Sequence, residues 1–203
     1  MTQALACLTD ARNRDLMDAM VLAAIAKWPD VPACYGWLAL DARGAWRIAG
    51  ERVTHAGLAA FFSRNYEVGE TGEAYVQNGP QRAYVTLEDT PYVARVEASG
   101  TFRRLPDGVA AEAAAVWLSD DGVFYAELEG RLARVHDHDT ATLAELLVAP
   151  DGAKLADAAW DGWPASRPDA AVRFAAGSIP LAYADATTLA ERFGVVREPA
   201  GAA

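Results

Sequence analysis

The clearest alternation of apolar and polar residues lies in residues 72–93, which predicts two strands joined by a short polar loop. In the second strand Ala83, Val85 and Leu87 alternate with more polar neighbours, as in a strand with one buried face. The stretch ends in a Glu-Asp-Thr-Pro-Tyr corner at 88–92, where the proline cannot donate to a ladder. We expect residues 72–93 to form the centre of a sheet, with the loop at its rim.

A helical period appears earlier in the chain. Apolar residues recur every three or four positions from Met17 to Trp28, which predicts an amphipathic helix over 13–27. Such a stripe is usually part of a core, but a methionine-rich face also suits an adaptable partner surface. A protein that docks a partner through this stripe is therefore one of the functions to weigh.

The first half continues with a strand–turn–strand–helix pattern. Strands are predicted over 35–41 and 46–49, around a turn in which Gly44 permits a positive φ. Thr54 is expected to cap a helix over 55–64. The residues of that helix expected to face inward are Leu58, Phe61 and Phe62.

The second half repeats this order of elements. Strands are predicted over 116–119 and 123–128 around Gly122, and a helix over 141–147 is expected to follow a Thr140 cap. In this comparison Gly122 corresponds to Gly44, and Leu143 to Leu58. The agreement in order predicts an internal duplication.

The remaining elements complete the predicted fold. Strands are expected near 172–175 and 179–183, then a helix over 186–193 and a frayed tail over 197–203. The predicted fold class is α+β, with antiparallel β-sheets and packed helices in two consecutive related strand–turn–strand–helix subdomains. These are residues 1–100, which include the N-terminal helix, and residues 101–203, with a boundary region over 99–111.

Composition narrows the partners. The 203 residues carry a net charge of −10, and no Lys/Arg cluster offers the basic face that nucleic acid or an anionic membrane requires. No run of about 18 apolar residues is present to span a bilayer. Two cysteines, Cys7 and Cys34, are too few for a disulfide scaffold, which favours free thiols and a cytoplasmic location.

A set of turn, core and corner residues is spread over 36–94: Gly44, Trp46, Gly50, Val53, Leu58, Phe62, Tyr75 and Glu88-Asp89-x-Pro91-Tyr92-Val93. Together they resemble the domain of unknown function 1285 family, an uncharacterised proteobacterial family. The resemblance implies an α+β protein of two related subdomains with a signalling or ligand-sensing role. The chain departs from the family pattern in its hairpin loop, where Asn78-Gly79-Pro80-Gln81-Arg82 replaces a Thr-Pro-x-Glu-Lys type of segment.

The hairpin loop is the best candidate for a ligand site. The sequence contains no nucleophile elbow, phosphate loop, dinucleotide fingerprint or HExxH motif, so no catalytic residue is predicted. Amides give direction and arginine supplies a forked donor, which suits a polar or anionic small molecule. The candidate residues are Gln77, Asn78, Gln81 and Arg82, with Tyr75 and Tyr84 as apolar walls. The structural alternative is that the amides satisfy the loop's own backbone and Arg82 pairs with an acid.

The segment His136-Asp137-His138-Asp139 is the one local group that suits a metal. On a strand, His136 and His138 would point to the same face, and two imidazoles with a carboxylate suit zinc or another transition ion. The spacing indicates no further ligand, which favours a solvated loop before the Thr140 cap.

These patterns favour a non-enzymatic cytoplasmic module that senses a polar small molecule, or docks a protein partner, through the rim formed by Gln77 to Arg82, without a cofactor. The competing hypothesis is a metal-dependent hydrolase that uses His136 and His138.

Overall fold

Two mixed β-sheets dominate the structure. The computed structural model describes residues 33–97, 100–175 and 177–201, where strands hold 42% of the residues and helices 17%. The chain divides into two compact units: unit 1 contains 33–41, 45–88 and 196–201, and unit 2 contains 42–44 and the described residues of 89–195. The division at residue 100 stays a prediction. Cys7 and the predicted helix over 13–27, with its stripe from Met17 to Trp28, lie outside the described residues.

Unit 1 is built on one six-stranded sheet. Its elements are β1 (Cys34–Leu40), β2 (Trp46–Ile48), β3 (Glu51–Arg52), α1 (Ala56–Arg64), β4 (Tyr66–Val68), β5 (Ala74–Asn78) and β6 (Gln81–Leu87). The strand order is β3-β2-β1-β6-β5-β4. β1 and β6 run parallel, whereas the other neighbours run antiparallel.

Most of the fully buried residues of unit 1 lie on one face of this sheet. Leu38 of β1 and Val85 of β6 are neighbours in the parallel register, and both are fully buried. The indole ring of Trp46 packs edge-on against Phe62 of α1 and against Tyr66. The alternation predicted for the second hairpin strand is confirmed, because Ala83, Val85 and Leu87 are all buried.

The α1 helix differs from the prediction in its cap and in its inner face. His55, not Thr54, is the N-cap, since its Nδ1 accepts a hydrogen bond from Leu58 N at 3.1 Å. Phe62 is buried, but Leu58 is 36% exposed, so the expectation that Leu58 faces inward is wrong.

Unit 2 is built on a nine-stranded sheet. Its strands are β7 (Tyr92–Val96), β8 (Phe102–Leu105), β9 (Ala110–Ala111), β10 (Ala113–Leu118), β11 (Phe124–Leu128), β12 (Arg131–Val135), β13 (Leu147–Val148), β14 (Ala171–Phe174) and β15 (Gly177–Tyr183). Its helices are α2 (Thr140–Glu145) and α3 (Ala186–Arg192), with 3-10 turns at Asp137–Asp139 and Asp157–Trp160. The strand order is β13-β14-β15-β10-β11-β12-β7-β8-β9. The region 99–111, predicted as a boundary, therefore contributes two strands, and Phe102 is fully buried.

Two blocks of six strands share one strand order. The first block, β1–β6, follows β3-β2-β1-β6-β5-β4, and the second block, β10–β15, follows β12-β11-β10-β15-β14-β13. In each block the first and last strands are parallel neighbours. The first turns also match, because Asp41 Oδ1 accepts from Ala45 N at 2.9 Å and Ser119 Oγ accepts from Val123 N at 3.1 Å. The common origin of the two blocks stays a prediction.

The expectation of antiparallel sheets is wrong for three pairs, because β1–β6, β10–β15 and β7–β12 are parallel. Alternation shows which face of a strand is buried but not which strand lies beside it or in which direction. The stretch 72–93 is also divided: β5 and β6 belong to the six-stranded sheet, and β7 begins the other sheet at Tyr92.

Two further expectations need correction. Thr140 is the first residue of α2 rather than its cap, and the preceding Asp139 makes no side-chain capping bond. The tail is paired at its start, since Arg197 O accepts from Leu87 N at 2.8 Å and Val196 bridges Glu73. No helix in the described part of the chain is long and apolar enough to cross a membrane.

The corner after β6 is held by buried polar contacts within unit 2. Asp89 Oδ2 accepts from the Tyr125 hydroxyl at 3.0 Å and from Arg134 Nη1 at 2.7 Å. Thr90 Oγ1 donates to Tyr92 O and accepts from Arg134 N. Glu88 is exposed while Asp89 is buried.

Candidate functional site

The β5–β6 hairpin brings together four of the six predicted rim residues. Tyr75 pairs with Tyr84, and Gln77 with Arg82, across the two antiparallel strands. Residues directly opposite each other share a face, so these four side chains lie on the sheet face that does not carry Val85. Asn78 and Gln81 form the last pair before the turn and fall on the other face. We call the set Tyr75, Gln77, Arg82 and Tyr84 the rim face.

Arg82 is the centre of the rim face. Its guanidinium carbon lies 4.6 Å from the ring centroid of Tyr75, within the range of a cation–π contact. Its Nε donates to Gln77 Oε1 at 3.3 Å. Gln77 is 4% exposed, and its Nε2 donates to Gly79 O at 2.9 Å. Gln77 therefore satisfies the turn, which is the role that the structural alternative assigned to the amides, and it also positions Arg82.

Tyr35 is a neighbour of the rim face that sequence reasoning did not include. Its ring stacks on Tyr84 with centroids 4.6 Å apart and an interplanar angle of 5°. The pairing of β1 with β6 is irregular between Cys34 and Leu38, where Gly36 has a φ of +75°. The predicted alternation assumes a regular strand, so it gives no indication of this contact. Tyr35 is 38% exposed, which leaves part of the stack open to solvent.

The titratable side chains on and beside this face shift one another's pKa values. Burial raises the pKa of Tyr75, and Glu67, which is hydrogen-bonded to its side chain, raises it further. Burial would lower the pKa of Arg82, but the neighbouring Tyr75, Tyr84 and Glu67 raise it overall. Arg82 is thus a permanent cation on an exposed residue, beside the Tyr75 phenol, which remains protonated. This arrangement can bind an anion and can stack a flat group.

The second candidate group lies at the end of β12. His136 is the N-cap of the 3-10 turn Asp137–Asp139, so the two histidines do not lie on a strand, the arrangement considered above for a metal site. A tight turn nevertheless brings the two rings together, with centroids 4.9 Å apart. Among the described residues, His136, Asp137 and His138 form a group whose ligand atoms lie within 4.8 Å of one another.

Two arginines, Arg43 and Arg95, surround this group. Arg43 Nε donates to Asp137 Oδ2 at 2.9 Å, and this pairing lowers the pKa of Asp137. Arg95 Nε donates to Asp139 Oδ2 at 2.5 Å, so Asp139 is engaged away from the two histidines. Burial lowers the pKa of His136, and the charge of Arg95 lowers it further, which keeps the imidazole neutral. Neither arginine followed from the sequence pattern, because both lie on distant strands or loops.

Comparisons with known proteins give a family and a fold. The DUF2944 family model, described as "Protein of unknown function (DUF2946)", matches residues 17–200. A DUF1285 family protein from Silicibacter pomeroyi is similar with 16% identity and a TM-score of 0.53, over 85% of this chain and 93% of that chain. A DUF1285 family protein from Shewanella baltica has 17% identity and a TM-score of 0.39, over 52% of this chain and 87% of that chain. The predicted resemblance to the DUF1285 family is confirmed. None of the curated proteins matches the chain.

Proposed function

Since this chain belongs to the DUF2944 family, whose members are described as proteins of unknown function, we propose a function from the site itself. We propose that the protein is a non-enzymatic cytoplasmic module that senses a small anion with a flat apolar body, bound on the rim face. The observation that carries the proposal is the guanidinium of Arg82, held 4.6 Å over Tyr75 and oriented by Gln77.

Pre-positioning is what makes Arg82 suitable for recognition. A long side chain loses rotamer freedom when a ligand fixes it, and a guanidinium already held in place loses less on binding. Gln77 is itself buried and bonded to the turn, so the support under Arg82 is rigid. The planar fork of arginine matches a carboxylate or phosphate edge better than a lysine would.

The aromatic side chains supply the second half of the proposed specificity. The Tyr35–Tyr84 stack is partly exposed next to Arg82, and a flat ligand can extend it by offset stacking. An anion without a flat body would meet only Arg82, and a neutral ring would meet only the tyrosines. The site therefore favours aromatic carboxylates and nucleotides over either class alone.

The test is a thermal-shift and calorimetry screen of aromatic carboxylates and nucleotides, with Arg82→Ala and a matched control. Arg52→Ala removes another exposed arginine, from β3 of the same unit, so it controls for net charge. A ligand at 100 times its Kd stabilises by about 2.7 kcal/mol, which for this chain length is a rise in Tm of about 5–10 °C. We expect that rise in the wild type and in Arg52→Ala, and its loss in Arg82→Ala.

Salt provides an independent readout. Binding through an exposed arginine should weaken as ionic strength increases, because screening reduces the attraction of the anion. Ligands that stabilise the wild type and Arg82→Ala to the same extent would remove the rim face from the account.

The competing prediction, a metal-dependent hydrolase, needs more than an ion. Metal-assisted hydrolysis requires an open ligand position and a group that takes a proton from the attacking water. Asp139 follows the two histidines in the sequence, and its carboxylate is engaged by Arg95 and by Val96 N at 3.0 Å. The geometry therefore supports the metal-binding half of that prediction more than the hydrolytic half.

A further inference from the structure

Two imidazoles and a carboxylate lie together in unit 2, just after β12. We propose that His136, Asp137 and His138 bind a first-row transition-metal ion, for which Zn²⁺ is a suitable probe. This site is separate from the proposed anion-sensing function, because it uses other residues and a different chemistry.

The first argument is the convergence of ligand atoms. His136 Nδ1 and Asp137 Oδ1 both lie within hydrogen-bond distance of His138 N, at 3.2 and 3.0 Å. These two atoms lie 2.9 Å apart, so a proton on Nδ1 can be shared with the carboxylate. A metal ion can take the place of that proton, because imidazole nitrogen and carboxylate oxygen are both metal ligands.

The second argument is the rigidity of the turn that presents these groups. His136 N donates to Ala94 O at 2.9 Å, which fixes the start of the turn to β7. At its end, Asp139 is held by Arg95 and by Val96 N, and its own N–H donates to His136 O at 2.8 Å. The His136 side chain is only 9% exposed. Ligands held by such a scaffold pay little ordering cost when a metal binds.

The distances require a moderate contraction. Zinc binds nitrogen and carboxylate oxygen at about 2.0–2.2 Å, so two ligand atoms on one tetrahedral ion lie about 3.3–3.6 Å apart. The three candidate atoms already lie within 4.8 Å of one another. Rotation of the exposed Asp137 and His138 side chains can supply the difference. With three protein donors, a tetrahedral ion keeps one position for water.

Arg43 limits the strength of the site. Its Nε donates to Asp137 Oδ2 at 2.9 Å, and 62% of the Arg43 side chain is exposed. A metal that takes Asp137 as a ligand must compete with this ion pair and with the positive charge of Arg43. Removal of Arg43 should therefore strengthen metal binding, which is a result that a solvated loop would not give.

The experiment is calorimetric titration of the full chain with Zn²⁺. Thiolates also bind zinc, so Cys7→Ser and Cys34→Ser form the background for every variant. We expect one ion per chain, and a loss of affinity of at least about tenfold in His138→Ala, whose exposed ring can be removed without opening the core. His55→Ala, which removes the one histidine outside this group, should leave the affinity for Zn²⁺ unchanged.

Arg43→Ala completes the test. We expect tighter binding by about two- to fivefold, the factor that corresponds to an exposed ion pair. Arg103→Ala removes another exposed, ion-paired arginine of unit 2 and should not change the affinity. The proposal is overturned if the background protein takes up no zinc at one per chain, or if His138→Ala binds as tightly as its parent. Binding that is no tighter in Arg43→Ala contradicts the inclusion of Asp137.

Discussion

The buried hydrogen bond between Tyr125 and Asp89 provides the sharpest test of how the corner after β6 is held. The Tyr125 hydroxyl lies 3.0 Å from Asp89 Oδ2, and the two residues are 2% and 7% exposed. Burial and the neighbouring Asp89 raise the pKa of Tyr125, so the hydroxyl keeps its proton and donates at neutral pH. The perturbation is Tyr125→Phe, which removes the hydroxyl and leaves the ring in place.

The expected cost follows from the charge of the acceptor. A hydrogen bond to a charged group contributes about 1.5–3 kcal/mol. Asp89 keeps its contact with Arg134 Nη1 at 2.7 Å after the change, so it is not left without a partner. We therefore expect the lower part of that range, about 1.5–2 kcal/mol. For a chain of this length that loss lowers Tm by about 3–8 °C.

Tyr183→Phe is the matched control, because it makes the same deletion in the same unit. The Tyr183 hydroxyl donates to the Pro168 carbonyl, a neutral acceptor, at 2.5 Å. Such a bond contributes about 0.5–1.5 kcal/mol, so the loss should be smaller than for Tyr125. Urea unfolding followed by tryptophan fluorescence measures the loss of stability in Tyr125→Phe and in Tyr183→Phe. A double-mutant cycle with Asp89→Asn and Tyr125→Phe gives the coupling energy between Asp89 and Tyr125. Equal losses for the two tyrosines would refute the charge-assisted account.

Two further predictions use pairs of residues that the sequence treats as equivalent. Leu143→Ala should cost about 2–5 kcal/mol because Leu143 is fully buried, whereas Leu58→Ala should cost less, about 0.5–1.5 kcal/mol, because Leu58 is 36% exposed. Equal losses of unfolding free energy in chemical denaturation would favour the prediction that Leu58 and Leu143 occupy equivalent positions. The left-handed φ near +80° should cost about 1–2 kcal/mol in each of Gly44→Ala and Gly122→Ala. Gly44→Ala should carry a further steric cost of about 1–3 kcal/mol, because its new Cβ would lie 3.0 Å from Leu105 Cβ, while the Cβ in Gly122→Ala would enter open space. Thermal unfolding that shows no difference between the two glycine variants would contradict this contact.

The order of local elements was accessible from the sequence because it depends on near neighbours. Gly44 and Gly122 occupy the left-handed turns expected of them, and the apolar positions of β6 are buried as their alternation indicated. The cap of α1 was misplaced by one residue, since threonine and histidine both offer an acceptor and only the backbone path selects one.

The candidate sites could be predicted from the sequence only in part. Gln77, Arg82, Tyr75 and Tyr84 come together because a two-stranded hairpin places opposite residues on one face, which is a local rule. Tyr35 was missed because it reaches the face through a parallel partner strand with an irregular register. For His136 and His138 the sequence favoured a solvated loop and gave a shared strand face only as the condition for a metal site, whereas a 3-10 turn brings the two rings together.

The sequence by itself determined the main hairpin strands, their glycine turns and the residue types that can bind an anion or a metal. These follow from periodicity and side-chain chemistry, which act over a few residues. Only the tertiary structure decided which strands are neighbours, that three of those pairs are parallel, and that Arg43 lies against Asp137. Such contacts join residues far apart in the chain, and the balance of burial and hydrogen bonding that selects them is a property of the whole sheet rather than of any one segment.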